Sequence, residues 1–175
     1  EPDFPTPDYI KEAGIQAIRN NETKYTPAAG TIELRKAVCQ RLKEDCGVDY
    51  EYTQIAVSNG AKPCVYVALR ALINPGDEVI IPVPSFVCYG PLTSMAGGVP
   101  VFVETKAEDE FRLTPDQLRS AITPRTKVLV LPFPCNPTGG IMDREDLEAI
   151  AQVLRGTDIM VVSDEIYAEL TYGQH

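Results

Sequence analysis

Histidine is nearly absent from this 175-residue chain: the single one is His175, the last residue. That leaves no base for Ser-His-Asp or Cys-His catalysis and argues against a zinc site. Cysteine is odd in number and irregularly spaced, at Cys39, Cys46, Cys64, Cys88 and Cys135. Secreted disulfide scaffolds are denser and paired, so reduced thiols in a reducing compartment are expected. Basic residues are outnumbered, 16 Lys and Arg against 25 Asp and Glu, for a net charge of −9. No basic stripe is available to release counterions from a nucleic acid or to meet an anionic membrane. The surplus acid is expected to keep a cytoplasmic protein in solution. No run is long and apolar enough to span a bilayer, and no signal-peptide pattern opens the chain. There is also no Walker loop and no G-x-G-x-x-G fingerprint, which argues against a nucleotide. The chain opens at Glu1 without methionine and stops at "TYGQH", so both ends are expected to be cut.

The composition, 44% apolar and 23% charged, suits one ordinary globular domain with a sizeable core. Apolar runs alternate with amphipathic stretches. The runs are "QIAVS" (Gln54–Ser58), "EVIIP" (Glu78–Pro82), "VPVFV" (Val99–Val103), "KVLVLP" (Lys127–Pro132) and "IMVVS" (Ile159–Ser163). They are β-branched and nearly continuous, as expected of strands buried on both faces of a parallel sheet. Between them, Val65, Ala68, Leu69 and Leu72 fall at helical spacing, as do Leu147, Ile150, Ala151 and Leu154. "TPDQ" (Thr114–Gln117) reads as a capping box with proline at the first helical position. Asp143 is placed to cap the Leu147 helix and Gly156 to close it. Leu34, Val38 and Leu42 mark a helix entered through the turn "TPAAG". The expectation is an α/β fold, three layers α/β/α around a mostly parallel sheet.

Ligands of such sheets bind beyond the carboxyl ends of the strands. After Ser58 comes Asn59-Gly60-Ala61-Lys62, opening into a helix whose N–H groups suit an anion; alone this signal is weak, since many such turns carry glycine. After Pro82 two prolines hold Phe86 at the sheet's rim, to pack in the core or to stack on a flat ligand. After Pro132 comes "PCNPTGG", where flanking prolines fix the backbone of Asn136; a turn capped by asparagine is the plainer reading. After Ser163 come Asp164 and Tyr167. A carboxylate there needs a cation, a protonated heterocycle, a helix to cap or a salt bridge. Tyr66, Tyr89 and the cysteines read as packing, Cys135 beside Asn136 included.

Taken in order, "KYTPAAGTIELRKAV", "SNGAKP", "PSFVCYG", "PCNPTGG" and "SDEIY", with the opening "EPDFPTP", resemble the class I aminotransferases, aspartate aminotransferase-like pyridoxal-phosphate enzymes of fold type I. The resemblance covers essentially the whole chain. It implies that residues 1–175 are an incomplete cofactor-binding large domain, with 1–30 an opening and dimer-contact segment, 31–175 the βαβ sheet region, and the small domain absent. It implies pyridoxal 5'-phosphate as cofactor. Asp164 would pair with the protonated pyridine nitrogen, and Asn136 and Tyr167 would hold the ring's phenolic oxygen. Phe86 would stack on the ring where many relatives carry tryptophan or tyrosine. Gly60, Ala61 and Lys62 would offer the phosphate cup, and Tyr25 would reach the phosphate of the other subunit in a homodimer with shared active sites.

The resemblance also implies a Schiff-base lysine and a carboxylate-binding arginine beyond His175. None of Lys11, Lys24, Lys36, Lys43, Lys62, Lys106 or Lys127 stands in the setting of that lysine, so the 175 residues alone are not expected to transaminate. In the family, later strands insert between the Gln54 strand and the Lys127 strand. Without them the Gln54 strand would lose its neighbours, and a stable monomer of the fragment is not expected unless the missing half is present as a second chain. Transfer of an amino group between an amino acid and a 2-oxo acid is the leading expectation. A carbon–sulfur β-lyase of the same fold is the alternative, followed by a non-catalytic truncated domain and, distantly, a nucleotide-binding domain.

Overall fold

Four of the five apolar runs are strands: β1 (Glu78–Val83), β2 (Val99–Glu104), β3 (Thr126–Leu131) and β4 (Met160–Ser163). The computed structural model describes residues 3–172, so His175 and the first two residues of the opening segment lie outside it. The strands pair in the order β2-β1-β3-β4, every pair parallel.

Alternate residues of the central strands serve opposite faces, which is why Val79–Ile81 and Val128–Leu131 carry no polar positions. Val79, Ile81, Val128 and Val130 pack with Val65 and Leu69 of helix α3 (Ala61–Leu72) and Tyr89 of α4 (Tyr89–Met95). Ile80, Leu129 and Leu131 pack with Leu118 of α5 (Pro115–Ala121) and Ile150 of α6 (Arg144–Leu154). The result is the expected three-layer α/β/α arrangement around a parallel sheet. Thr114 and Gln117 form a reciprocal capping box at α5: Thr114 Oγ1 accepts from Gln117 N–H at 3.3 Å, and Gln117 Oε1 from Thr114 N–H at 3.0 Å. Asp143 Oδ1 accepts from Asp146 N–H at 2.9 Å to start α6. Gly156 follows α6 with φ +79°, a left-handed turn that a side chain would strain.

The chain divides into two compact units, Glu1–Ser58 and Asn59–His175; the sheet belongs to the second. The first holds α1 (Asp8–Arg19) and α2 (Ile32–Cys46). Thr31 Oγ1 accepts from Leu34 N–H at 3.3 Å to cap α2. Gly30 precedes it with φ +95°, and a Cβ there would meet Val57 at 3.0 Å. The "TPAAG" turn therefore needs glycine both for its dihedral and for the close approach.

One expectation is corrected: Gln54–Ser58 is not a strand. Tyr52–Gln54 is a short 3-10 turn held by a Glu51/Gln54 capping box, and Ile55–Ser58 follows without regular structure. Val57 N–H donates to Ala29 O at 3.0 Å, but no strand lies alongside among the described residues. An apolar run becomes a strand only with a ladder partner. The far side of β3 from β1 is taken by β4. Among the described residues no helix is long and apolar enough to cross a membrane.

Glu78, at the start of β1, is 4% exposed, and its carboxylate accepts from the Thr123 hydroxyl and the Arg125 guanidinium. These donors, Thr123 foremost, outweigh burial and hold the carboxyl below its ordinary 4.5. A carboxylate lowered on folding adds stability above its unfolded value, and that stability is lost as pH falls through the folded one. Glu78→Gln is expected to lower the thermal midpoint at neutral pH. The gap to wild type should narrow as pH drops below 4.5; a gap unchanged down to about pH 3 would remove Glu78 from the acid response.

Candidate functional site

The strand order reverses between β1 and β3: the chain runs from β1 outward to β2, then crosses back to β3 and on to β4. A crevice opens at such a reversal beyond the carboxyl ends of the strands. A cavity of about 240 Å³ lies there, walled by the segments after β1, β3 and β4 and by the start of α3.

Each wall follows from local chemistry. Gly60, with φ +96°, is the N-cap of α3 and brings no side-chain cap, so the first N–H groups of that helix stay available. Ala61 and Lys62, next along the chain, line the cavity. Phe86, after β1, is 37% exposed, too open for a core phenylalanine. Its ring meets Tyr89 edge-on, with centroids 6.2 Å apart and planes at 80°. Lys62 Nζ lies 5.6 Å from the Phe86 centroid, a cation over a ring face.

The "PCNPTGG" loop is tied at its base. Cys135 N–H donates to Gly140 O at 2.9 Å and Gly139 N–H to Cys135 O at 2.8 Å. The buried Cys135 thiol donates to Pro84 O at 3.4 Å, joining this loop to the one after β1. Cys135 therefore packs, as expected. The anchored turn presents Asn136 to the cavity, half-buried like Tyr167. Neither side chain gives its hydrogen-bonding groups to another described residue, so both have capacity for a ligand.

Asp164 follows β4, its N–H continuing the ladder to Leu131 O at 3.1 Å. Its Oδ1 accepts from Ile166 N–H at 3.2 Å, and its Oδ2 from the Tyr89 hydroxyl at 2.8 Å. Burial first, then the neighbouring Asp164 carboxylate, pushes the Tyr89 phenol well above its ordinary value, so it remains a donor. The cavity lining thus includes a carboxylate, Asp164, and an ammonium, Lys62, at the start of a helix whose first N–H groups carry no side-chain cap.

Of the residues singled out from sequence, Ala61, Lys62, Phe86, Asn136, Asp164 and Tyr167 line one cavity, and Gly60 adjoins it. Tyr25 lies in the first unit and is fully exposed. Sequence reasoning passed over Tyr89, read as packing. It is buried as expected, but it also carries the cavity's hydrogen bond to Asp164. The signal available was its position three residues after Phe86, one turn on at the start of a helix.

The family model for aminotransferase class I and II matches residues 1–175. The aspartate aminotransferase of Geobacillus stearothermophilus is 45% identical over 173 residues, 99% of this chain and 44% of that protein. The aspartate aminotransferase of Bacillus subtilis is 43% identical over 173 residues, with the same coverage of 99% and 44%. Among solved structures, the aromatic aminotransferase from Pyrococcus horikoshii OT3 superposes with a TM-score of 0.97 at 41% identity, over 100% of this chain and 47% of that one. The chain therefore spans a little under half the length of the relatives it matches. It belongs to the class I and II aminotransferase family.

Proposed function

We propose that this chain is the cofactor-binding N-terminal part of a pyridoxal-phosphate aminotransferase, moving an amino group between an amino acid and a 2-oxo acid. The observation that carries the reading is polar complementarity across one cavity. Asp164, fixed by Tyr89 and Ile166 N–H, shares the lining with the uncapped start of α3, the open Phe86 ring and Asn136. A flat cationic heterocycle bearing a phosphate has the matching polarity, so the residues present fit this cofactor.

Asp164 would hold the protonated ring nitrogen, Asn136 and Tyr167 the phenolic oxygen, and Phe86 the ring face. The N–H groups after Gly60, with Lys62, would hold the phosphate. Bound there, the cofactor supplies an electron sink for the carbanion formed at the substrate's α-carbon. The protein's part is to keep a negative charge against the ring nitrogen and to fix the ring's plane. Tyr25 would serve the partner subunit's phosphate in a cytoplasmic homodimer with shared active sites. The lysine that anchors the cofactor and moves the proton would come from beyond His175.

The test is amino exchange by the complete protein to which this segment belongs. With aspartate and a 2-oxo acid, oxaloacetate and the new amino acid are expected in equal amounts. Release of ammonia, pyruvate and thiol from a sulfur amino acid, without exchange on any amino donor, would replace the reading with a β-lyase of the same fold.

A further inference from the structure

The Tyr89 hydroxyl bonds to a residue 75 positions away, 2.8 Å from Asp164 Oδ2. It does so from a fixed base. Tyr89 is 4% exposed, belongs to the core cluster with Val79 and Ile81, and abuts Phe86 edge-on. Asp164 is only half-buried, at the open end of β4. Its Oδ1 accepts from Ile166 N–H at 3.2 Å, which leaves the second oxygen to decide how the carboxylate lies. Accepting the cofactor reading above, we propose that Tyr89 is a positioning residue that locks the Asp164 carboxylate in its ligand-binding orientation before the cofactor arrives.

An aspartate held through one oxygen only still samples several rotamers, and ordering it on binding weakens affinity. A phenol held by the sheet core removes that freedom in advance. It also adds a hydrogen bond to the charged form of the acid. Burial keeps the Tyr89 proton in place, so the donor does not switch off over the working pH range. The competing account is that Asp164 merely satisfies a buried phenol that needs a partner. The two accounts differ in whether the loss on removing the hydroxyl depends on the acid.

The experiment is a double-mutant cycle on the complete protein, reading the dissociation constant of pyridoxal phosphate from the apoenzyme and the thermal midpoint of each apo variant. Tyr89→Phe keeps the packed ring and should leave the apo midpoint within a few degrees of wild type. Its cofactor affinity should fall on the order of 10- to 100-fold, the range of a hydrogen bond to a charged group. In an Asp164→Asn background the same change should weaken binding by less than about threefold, because the charge it positions is gone. An unchanged dissociation constant in Tyr89→Phe, or an equal loss in both backgrounds, overturns the positioning role while the cofactor reading stands. A wild-type apoenzyme that takes up no pyridoxal phosphate overturns both.

Discussion

Asp164→Ala in the complete enzyme is expected to slow transamination by roughly a hundred- to ten-thousand-fold, the rate equivalent of about 3–5 kcal/mol for breaking an ion pair that the bound cofactor would shut off from water. Asp164 is the carboxylate among the cavity-lining residues, so on the proposed reading alanine would leave the protonated ring nitrogen without a countercharge and the electron sink weakened. The substitution also leaves the Tyr89 hydroxyl and the Ile166 N–H without their acceptor, and an unsatisfied buried donor costs about 1–3 kcal/mol of stability. Asp164→Asn separates the two effects, since it keeps the shape and an acceptor oxygen but not the charge. Half-reaction rates at saturating cofactor should fall for both variants, with the alanine protein also losing thermal stability. Activity within tenfold of wild type in both would remove Asp164 from the cofactor's charge balance.

Much of this architecture was legible because the physics is local. An apolar run without internal polar positions has to be covered on both faces, and Val79–Ile81 and Val128–Leu131 are indeed packed from both sides. Capping signals at Thr114 and Asp143 depend on residues three positions apart, so sequence carries them whole. Gln54–Ser58 failed for the opposite reason. Its composition suits a strand, but a ladder needs a neighbour, and composition says nothing about whether one is there. Helix α4 was hidden because Gly90 and Pro91 follow its first residue and mask its helical spacing. The site followed from one rule, that residues just past buried strands share an edge, and that rule brought Phe86, Asn136 and Asp164 to one cavity. It could not reveal Tyr89. The meaning of that residue lies in a bond across 75 positions, which no local pattern encodes.

Borohydride reduction of the cofactor-loaded complete enzyme, followed by peptide mass mapping, is expected to place no pyridoxyl group on any lysine of residues 1–175. Lys62 is the case that decides it, being the lysine that lines the cavity. Lys62 stands in the first turn of α3, next to the N–H groups after Gly60, with its Nζ 5.6 Å from the centre of the Phe86 ring, a place that suits contact with a phosphate. Lys62→Met should accordingly weaken cofactor affinity while leaving the site of the trapped adduct unchanged. The lone 175-residue chain, treated in the same way, should stay unmodified and show no amino exchange. An adduct on Lys62 would reverse the reading. The cavity would then contain its own nucleophile, and this segment would need nothing beyond His175 to hold its cofactor covalently.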